Sequence, residues 1–136
     1  GSISILIGEK NVNIDFDSSK EIFLNADEFK IEEVVTNYIS NSIHHVSDSG
    51  KIKINVSDDG ENITFSVYNT GNPIPEKDLN NIWEKFFKVD KAHSRAYGGS
   101  GIGLSIVKAI VEAHNGTVAV RNILDGVEFS FKIPKA

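Results

Sequence analysis

The chain has 136 residues, of which 40% are hydrophobic and 24% charged, with a formal net charge of -5 and no cysteine. This is the size and composition of one soluble globular domain with a substantial core, and it excludes a disulfide framework or a thiolate metal site while suiting a reducing compartment. The negative balance is spread along the chain with no basic block, which argues against nucleic acid as the main partner.

In chain order, Gly1-Ser2 reads as an expression scar, so the domain is taken as residues 3–136, cut from a longer protein. Period-two alternation predicts strands through Ile3, Ile5 and Ile7, and through Val12, Ile14 and Phe16. Asp27 is placed to cap a first helix with a core-facing stripe of Val34, Val35, Tyr38, Ile39, Ile43 and Val46. Strands follow through Ile52, Ile54 and Val56 and through Ile63, Phe65 and Val67, joined as a hairpin by Asp58-Asp59-Gly60. Pro75 stands where a second helix carrying Leu79, Ile82, Trp83 and Phe86 would open. Residues Lys88 to Gly98 lack periodicity and read as a lid-like loop.

A third helix is expected from about Gly101 to His114, ended by Asn115-Gly116 with the glycine as left-handed cap. Val118 and Val120, then Val127, Phe129, Phe131 and Ile133, mark two last strands joined at Leu124-Asp125-Gly126. Three helices on a mixed, mostly antiparallel sheet make a two-layer α+β sandwich. No apolar run approaches a membrane span, and no signal-peptide pattern opens the chain.

Two local patterns carry chemistry. Gly98-Gly99-Ser100-Gly101-Ile102-Gly103-Leu104-Ser105 places four glycines in six residues before a helix. Glycines let backbone approach a ligand, and the first helical N–H groups have no partner within the helix, so an anion such as phosphate fits there. A loop that merely turns is the plainer reading. On the first helix, Glu33, Asn37, Asn41 and His44 form one polar stripe. Two asparagines four apart are poor helix-interior residues, so the stripe is either a solvated face or an oxygen donor for a hard cation. His44 and His45 point to different faces, and His93 and His114 stand alone, so a surface or structural role is favoured over a transition-metal site.

Four segments in series resemble the ATP-binding catalytic domain of bacterial sensor histidine kinases, within the ATPase superfamily that includes DNA gyrase and MutL. Asn37-Tyr-Ile-Ser-Asn41-Ser-Ile-His44-His45 resembles the family's N box, and Asn69-Thr-Gly71-Asn-Pro-Ile74-Pro75 its first glycine box. Ile82-Trp-Glu-Lys-Phe86-Phe87-Lys88 resembles the F box, and Gly99-Ser100-Gly101-Ile102-Gly103-Leu104 the second glycine box. Gly116 and the segment Gly126 to Phe129 follow as the family's ending does, so the likeness runs from about Asp27 to Pro134.

The resemblance implies a Bergerat-type ATP-binding fold with ATP and Mg2+ as ligands. Asn41 would hold the magnesium that bridges the phosphates, and Asn37 would support the phosphate end. His44 takes the place of a lysine that reaches the phosphates, His45 that of a tyrosine packing on adenine, and Asn69 that of an aspartate accepting from the adenine amino group. Gly71, Ile74 and Phe86 would line the nucleotide. The glycines, with Ser100, Ile102 and Leu104, would wrap the triphosphate, and Lys88 replaces an arginine that assists the transferring phosphoryl group. Phosphoryl transfer needs positioning and charge neutralisation, which such a set supplies.

Hydrolytic relatives carry a glutamate base where this chain has Asn37, and an amide cannot accept that proton, so slow hydrolysis and a kinase are expected. The implied reaction gives the γ-phosphoryl group to a histidine on a dimerisation domain outside this chain, and then to a response regulator. None of His44, His45, His93 or His114 matches the phosphoacceptor pattern, so the fragment is not expected to phosphorylate itself. It is expected to be monomeric and cytosolic, within a homodimeric parent tethered to the inner membrane. Asn69, Pro73 and His44 depart from the family pattern, which also admits a degenerate interaction module that binds no nucleotide. An anti-sigma-factor-type serine kinase is a further alternative, opposed by Asn37.

Overall fold

The computed structural model describes residues 2–7, 10–17, 28–84 and 103–135, with side chains from Ile31 onward. Six strands form one sheet: β1 (Ser2–Ile7), β2 (Lys10–Asp17), β3 (Lys51–Asp58), β4 (Asn62–Thr70), β5 (Thr117–Ile123) and β6 (Gly126–Pro134), in the order β1-β2-β3-β4-β6-β5. All six lie on the segments whose alternation predicted them. β2 and β3 pair in parallel and the other neighbours antiparallel. Parallel partners need a long crossover, and α1 (Glu28–His45) supplies it. α2 (Gly103–Ala113) packs beside α1 and against β5 and β6.

The helices cover one face of the sheet. Burial alternates strictly along β4, with Ile63, Phe65, Val67 and Asn69 inward, and Val127, Phe129, Phe131 and Ile133 continue that face on β6. Val34 and Tyr38 of α1, Val46 just after that helix, and Leu104, Val107 and Val111 of α2 close the core. Tyr38 is its centre. The ring tilts against Trp83, Phe129 and Phe131 at centroid separations of 6.5, 5.6 and 6.1 Å. Burial pushes the phenol pKa up, so it stays a donor, and its hydroxyl donates to the Ser130 carbonyl at 2.9 Å.

Two expectations are corrected. Among the described residues there are two α-helices, because the segment after Pro75 forms only a 3-10 turn, Glu76–Asp78, followed by further turns to residue 84. Asn80 and Asn81 favour local side-chain bonding over helix continuation, and Asn81 Nδ2 donates to the Lys77 carbonyl. Ile82 is still buried, with Leu79 and Trp83 packed on the core, so hydrophobic periodicity was satisfied without α geometry. At the end of α2 the left-handed residue is Asn115, with φ 62°, rather than Gly116. The Asn115 and Gly116 N–H groups donate to the Glu112 and Val111 carbonyls, which is a Schellman closure. Gly116 is required instead by crowding, since a Cβ there would lie 2.4 Å from the Lys132 carbonyl.

The turn of the β3–β4 hairpin is held by its own aspartates. Asp58 Oδ1 accepts from the Gly60 N–H, and Asp59 Oδ1 accepts from those of Glu61 and Asn62. The backbone N–H groups of Asn62 and Glu61 hold the Asp59 carboxyl below the usual range. Asp27 and residues 88–98 lie outside the described residues.

Candidate functional site

The polar stripe of α1 rotates from solvent into the protein. Glu33 and His44 are exposed and Asn37 is half-buried, but Asn41 is only 5% exposed. Asn37 Nδ2 donates to the Glu33 carbonyl at 2.9 Å, and His44 Nδ1 donates to the Ser40 carbonyl at 2.8 Å. Among the described residues neither Asn41 Oδ1 nor Nδ2 has a hydrogen-bond partner. A buried carboxamide left this way costs about 1–3 kcal/mol, so the solvated-face reading fails for Asn41. Its free carbonyl oxygen is a suitable donor for a hard divalent cation, and the site's chemistry therefore fits magnesium. Glu32, Glu33, Thr36, Asn37 and Ser40 line an adjoining groove of about 500 Å³.

The C-terminal end of α1 meets the loop that leaves β4. His45 is buried, and its Nε2 donates to the Asn72 carbonyl at 2.8 Å. The next turn is tied as well, since Ser47 N–H donates to the Thr70 carbonyl and the Ser47 and Thr70 hydroxyls lie 2.8 Å apart. Gly71 passes close under α1: a Cβ there would be 2.8 Å from the His45 carbonyl, and its φ of 151° disfavours side chains. Asn69 is 1% exposed and donates through Nδ2 to the Thr70 carbonyl. Ile74 is fully buried beyond the loop.

Asn37, Asn41, His44 and His45 thus share α1, and Asn69 and Gly71 are brought to its C-terminal end, with Ile74 buried farther along the same loop. Gly103 and Leu104 open α2, which packs on α1, with Leu104 buried. Phe86, Lys88, Gly99, Ser100, Gly101 and Ile102 lie outside the described residues.

Two features of the site were not singled out in the sequence. Asn122 Oδ1 accepts from the Ile74 N–H at 2.9 Å while its Nδ2 donates to the Ile74 carbonyl at 2.8 Å. Its signal was a polar residue on the inward register of Val118 and Val120. The Tyr68 hydroxyl donates to Asp125 Oδ1, and the Asp125 carbonyl accepts from the Gly71 N–H at 3.1 Å. Burial and the Asp125 carboxylate push the Tyr68 pKa up to about 12, and the phenol in turn lowers that of Asp125.

Comparison with known proteins places this geometry in company. Residues 26–136 match the family model described as histidine kinase-, DNA gyrase B-, and HSP90-like ATPase. The sensor histidine kinase WalK of Bacillus subtilis is 34% identical over 118 residues, covering 85% of this chain and 19% of that protein. The catalytic domain of histidine kinase ThkA, in a nucleotide-free form, superposes with a TM-score of 0.80 at 34% identity over 91% of this chain and 80% of that one. ThkA is also matched in complex with the response regulator protein TrrA. Full-length ShkA in complex with AMPPNP gives a TM-score of 0.76 at 29% identity, over 92% of this chain and 26% of that one. The chain spans about a fifth to a quarter of the length of WalK and of the sensor proteins SilS and CzcS, which it also matches. Among the described residues no helix is long and apolar enough to cross a membrane.

Proposed function

The chain belongs to the family of histidine kinase-, DNA gyrase B-, and HSP90-like ATPases, and from that premise we propose that it binds Mg-ATP and donates the γ-phosphoryl group to a histidine on a dimerisation domain outside these residues. The observation that carries the reading is Asn41, a buried carboxamide whose two polar atoms find no hydrogen-bond partner among the described residues. An apolar residue would suit a purely structural role there better. Asn41 would hold the magnesium, which when bound would neutralise phosphate charge. Asn69 accepts the adenine amino group, with Gly71, Ile74 and His45 shaping the base end. Gly103, Leu104 and the glycines before them cradle the phosphates with backbone N–H groups, and His44, Phe86 and Lys88 complete the set.

The acceptor imidazole nitrogen forms a bond to the γ-phosphorus as the bond to the β–γ bridging oxygen breaks, and ADP leaves with that oxygen. Asn37 steadies the phosphate end without serving as a base, since an amide does not take a proton from water. Transfer to a histidine is therefore favoured over hydrolysis. A response regulator is the next acceptor, in line with the ThkA complex, and the domain works in the cytosol, where ATP and that partner are found.

Calorimetric titration with an unhydrolysable ATP analogue, with and without Mg2+, tests the reading. Magnesium-dependent binding in the parent chain, lost in Asn41→Leu, is expected. Absence of binding at millimolar analogue overturns it.

A further inference from the structure

We infer that Asn122 is a positioning residue for recognition of the nucleotide base, acting through the loop between Asn69 and Ile74; this rests on the reading of the chain as an ATP-binding domain. The register places Asn69, Val127 and Asn122 in one cross-strand row, on β4, β6 and β5. Neighbouring strands are about 4.8 Å apart, so Asn69 and Asn122 are separated by about 10 Å. The loop leaves β4 one residue after Asn69, at one end of this row, and Ile74 is bonded to Asn122 at the other.

Asn122 holds both backbone groups of Ile74, at 2.9 and 2.8 Å. Ile74 is 1% exposed, so water cannot readily replace either bond. A carboxamide presents a donor and an acceptor side by side, as this pairing with a peptide unit requires, whereas aspartate offers no donor and serine only one heavy atom. The loop is fastened at two further points, Gly71 N–H to the Asp125 carbonyl and Asn72 carbonyl to His45. Ile74 is the far footing. With it released, the loop that shapes the space in front of Asn69 is hinged from one side only.

The test compares the affinities of unhydrolysable ATP and GTP analogues, together with hydrogen exchange at the Ile74 amide, in the parent chain, Asn122→Ala and Asn122→Asp. The parent is expected to prefer the adenine nucleotide. In Asn122→Ala that preference falls about tenfold, the equivalent of one lost hydrogen bond, through weaker ATP binding with GTP binding little changed, and the Ile74 amide exchanges faster. Asn122→Asp keeps the acceptor and gives an intermediate loss; it decides the matter if Asn122→Ala does not fold. An unchanged preference, or an equal fall for both nucleotides, overturns the inference. A parent chain that binds neither analogue overturns the functional reading itself, a result distinct from binding with unaltered preference.

Discussion

Asn37 and Asn41 stand one helical turn apart on α1 in opposite circumstances: the Asn37 amide donates to the Glu33 carbonyl at 2.9 Å in a half-exposed setting, whereas Asn41 is buried with neither carboxamide atom bonded to any described residue. A residue held at such cost in a core-lining position separates stability from ligand binding.

Replacing Asn41 by leucine removes the unsatisfied amide and keeps the branched shape, with two methyl groups in place of the amide oxygen and nitrogen. The nucleotide-free protein should gain about 1 kcal/mol, a rise of a few degrees in Tm, while magnesium-dependent nucleotide binding disappears. Thermal melts and titrations on one preparation read both, and a variant that lost stability along with binding would assign Asn41 to the core instead.

The Tyr68–Asp125 pair makes stability depend on pH at both ends. Tyr68 is raised to about 12, so its contribution is full below the unfolded tyrosine value near 10 and is lost as pH climbs through the folded value. Asp125 is lowered, so its contribution is present above the unfolded aspartate value near 4 and fades on acidification. Urea denaturation across pH should show Tyr68→Phe flattening the alkaline limb between about 10 and 12 and Asp125→Asn blunting the acid limb. Identical profiles in parent and variants would deny the coupling.

Leu124 is 91% exposed and holds φ at +52° as the first of two residues in the β5–β6 turn. That conformation costs a residue with a Cβ about 1–2 kcal/mol and glycine far less. Leu124→Gly should therefore stabilise by about 0.5 kcal/mol after the entropy of the unfolded glycine is allowed for. Chemical denaturation measures the change, and destabilisation would reveal a contact for the leucine.

Gly126 and Gly60 should respond differently to alanine. A Cβ at Gly126 would lie 1.9 Å from the Asn69 carbonyl and 2.8 Å from Thr70 Cα, both backbone, whereas nothing stands within 4 Å at Gly60. Gly126→Ala should cost about 3 kcal/mol, and Gly60→Ala, with φ +95°, about 1 kcal/mol. Equal losses in urea melts would mean that the strands part at Asn69 without difficulty.

The strands were legible because a half-buried sheet stamps a period of two on each one, and the inward rows of β4 and β6 keep it without a break. The apolar stripe of α1 was equally plain. Leu79, Ile82 and Trp83 misled because their spacing satisfies several kinds of turn, and Asn80 and Asn81 decide among them by local bonding. Asn41 could not be resolved by the helical wheel alone. It sits at the margin of the polar stripe, where the packing of neighbouring elements, and not periodicity, decides whether a side chain meets water. Asn122 escaped for a different reason: its inward register on β5 marks it as polar among apolar neighbours, but its partners are backbone groups 48 residues away, and the alternation does not name them.

The bond from Tyr38 to the Ser130 carbonyl bears on precision. Apolar faces tolerate small rotations of a helix about its own axis, because grease has no preferred direction. A hydroxyl aimed at one carbonyl does, and Tyr38 lies between Asn37 and Asn41 on the same turn. The angular setting of the polar stripe is thus indexed to the sheet by a residue buried in the core, so Tyr38→Phe would degrade alignment at a site whose chemistry it never enters.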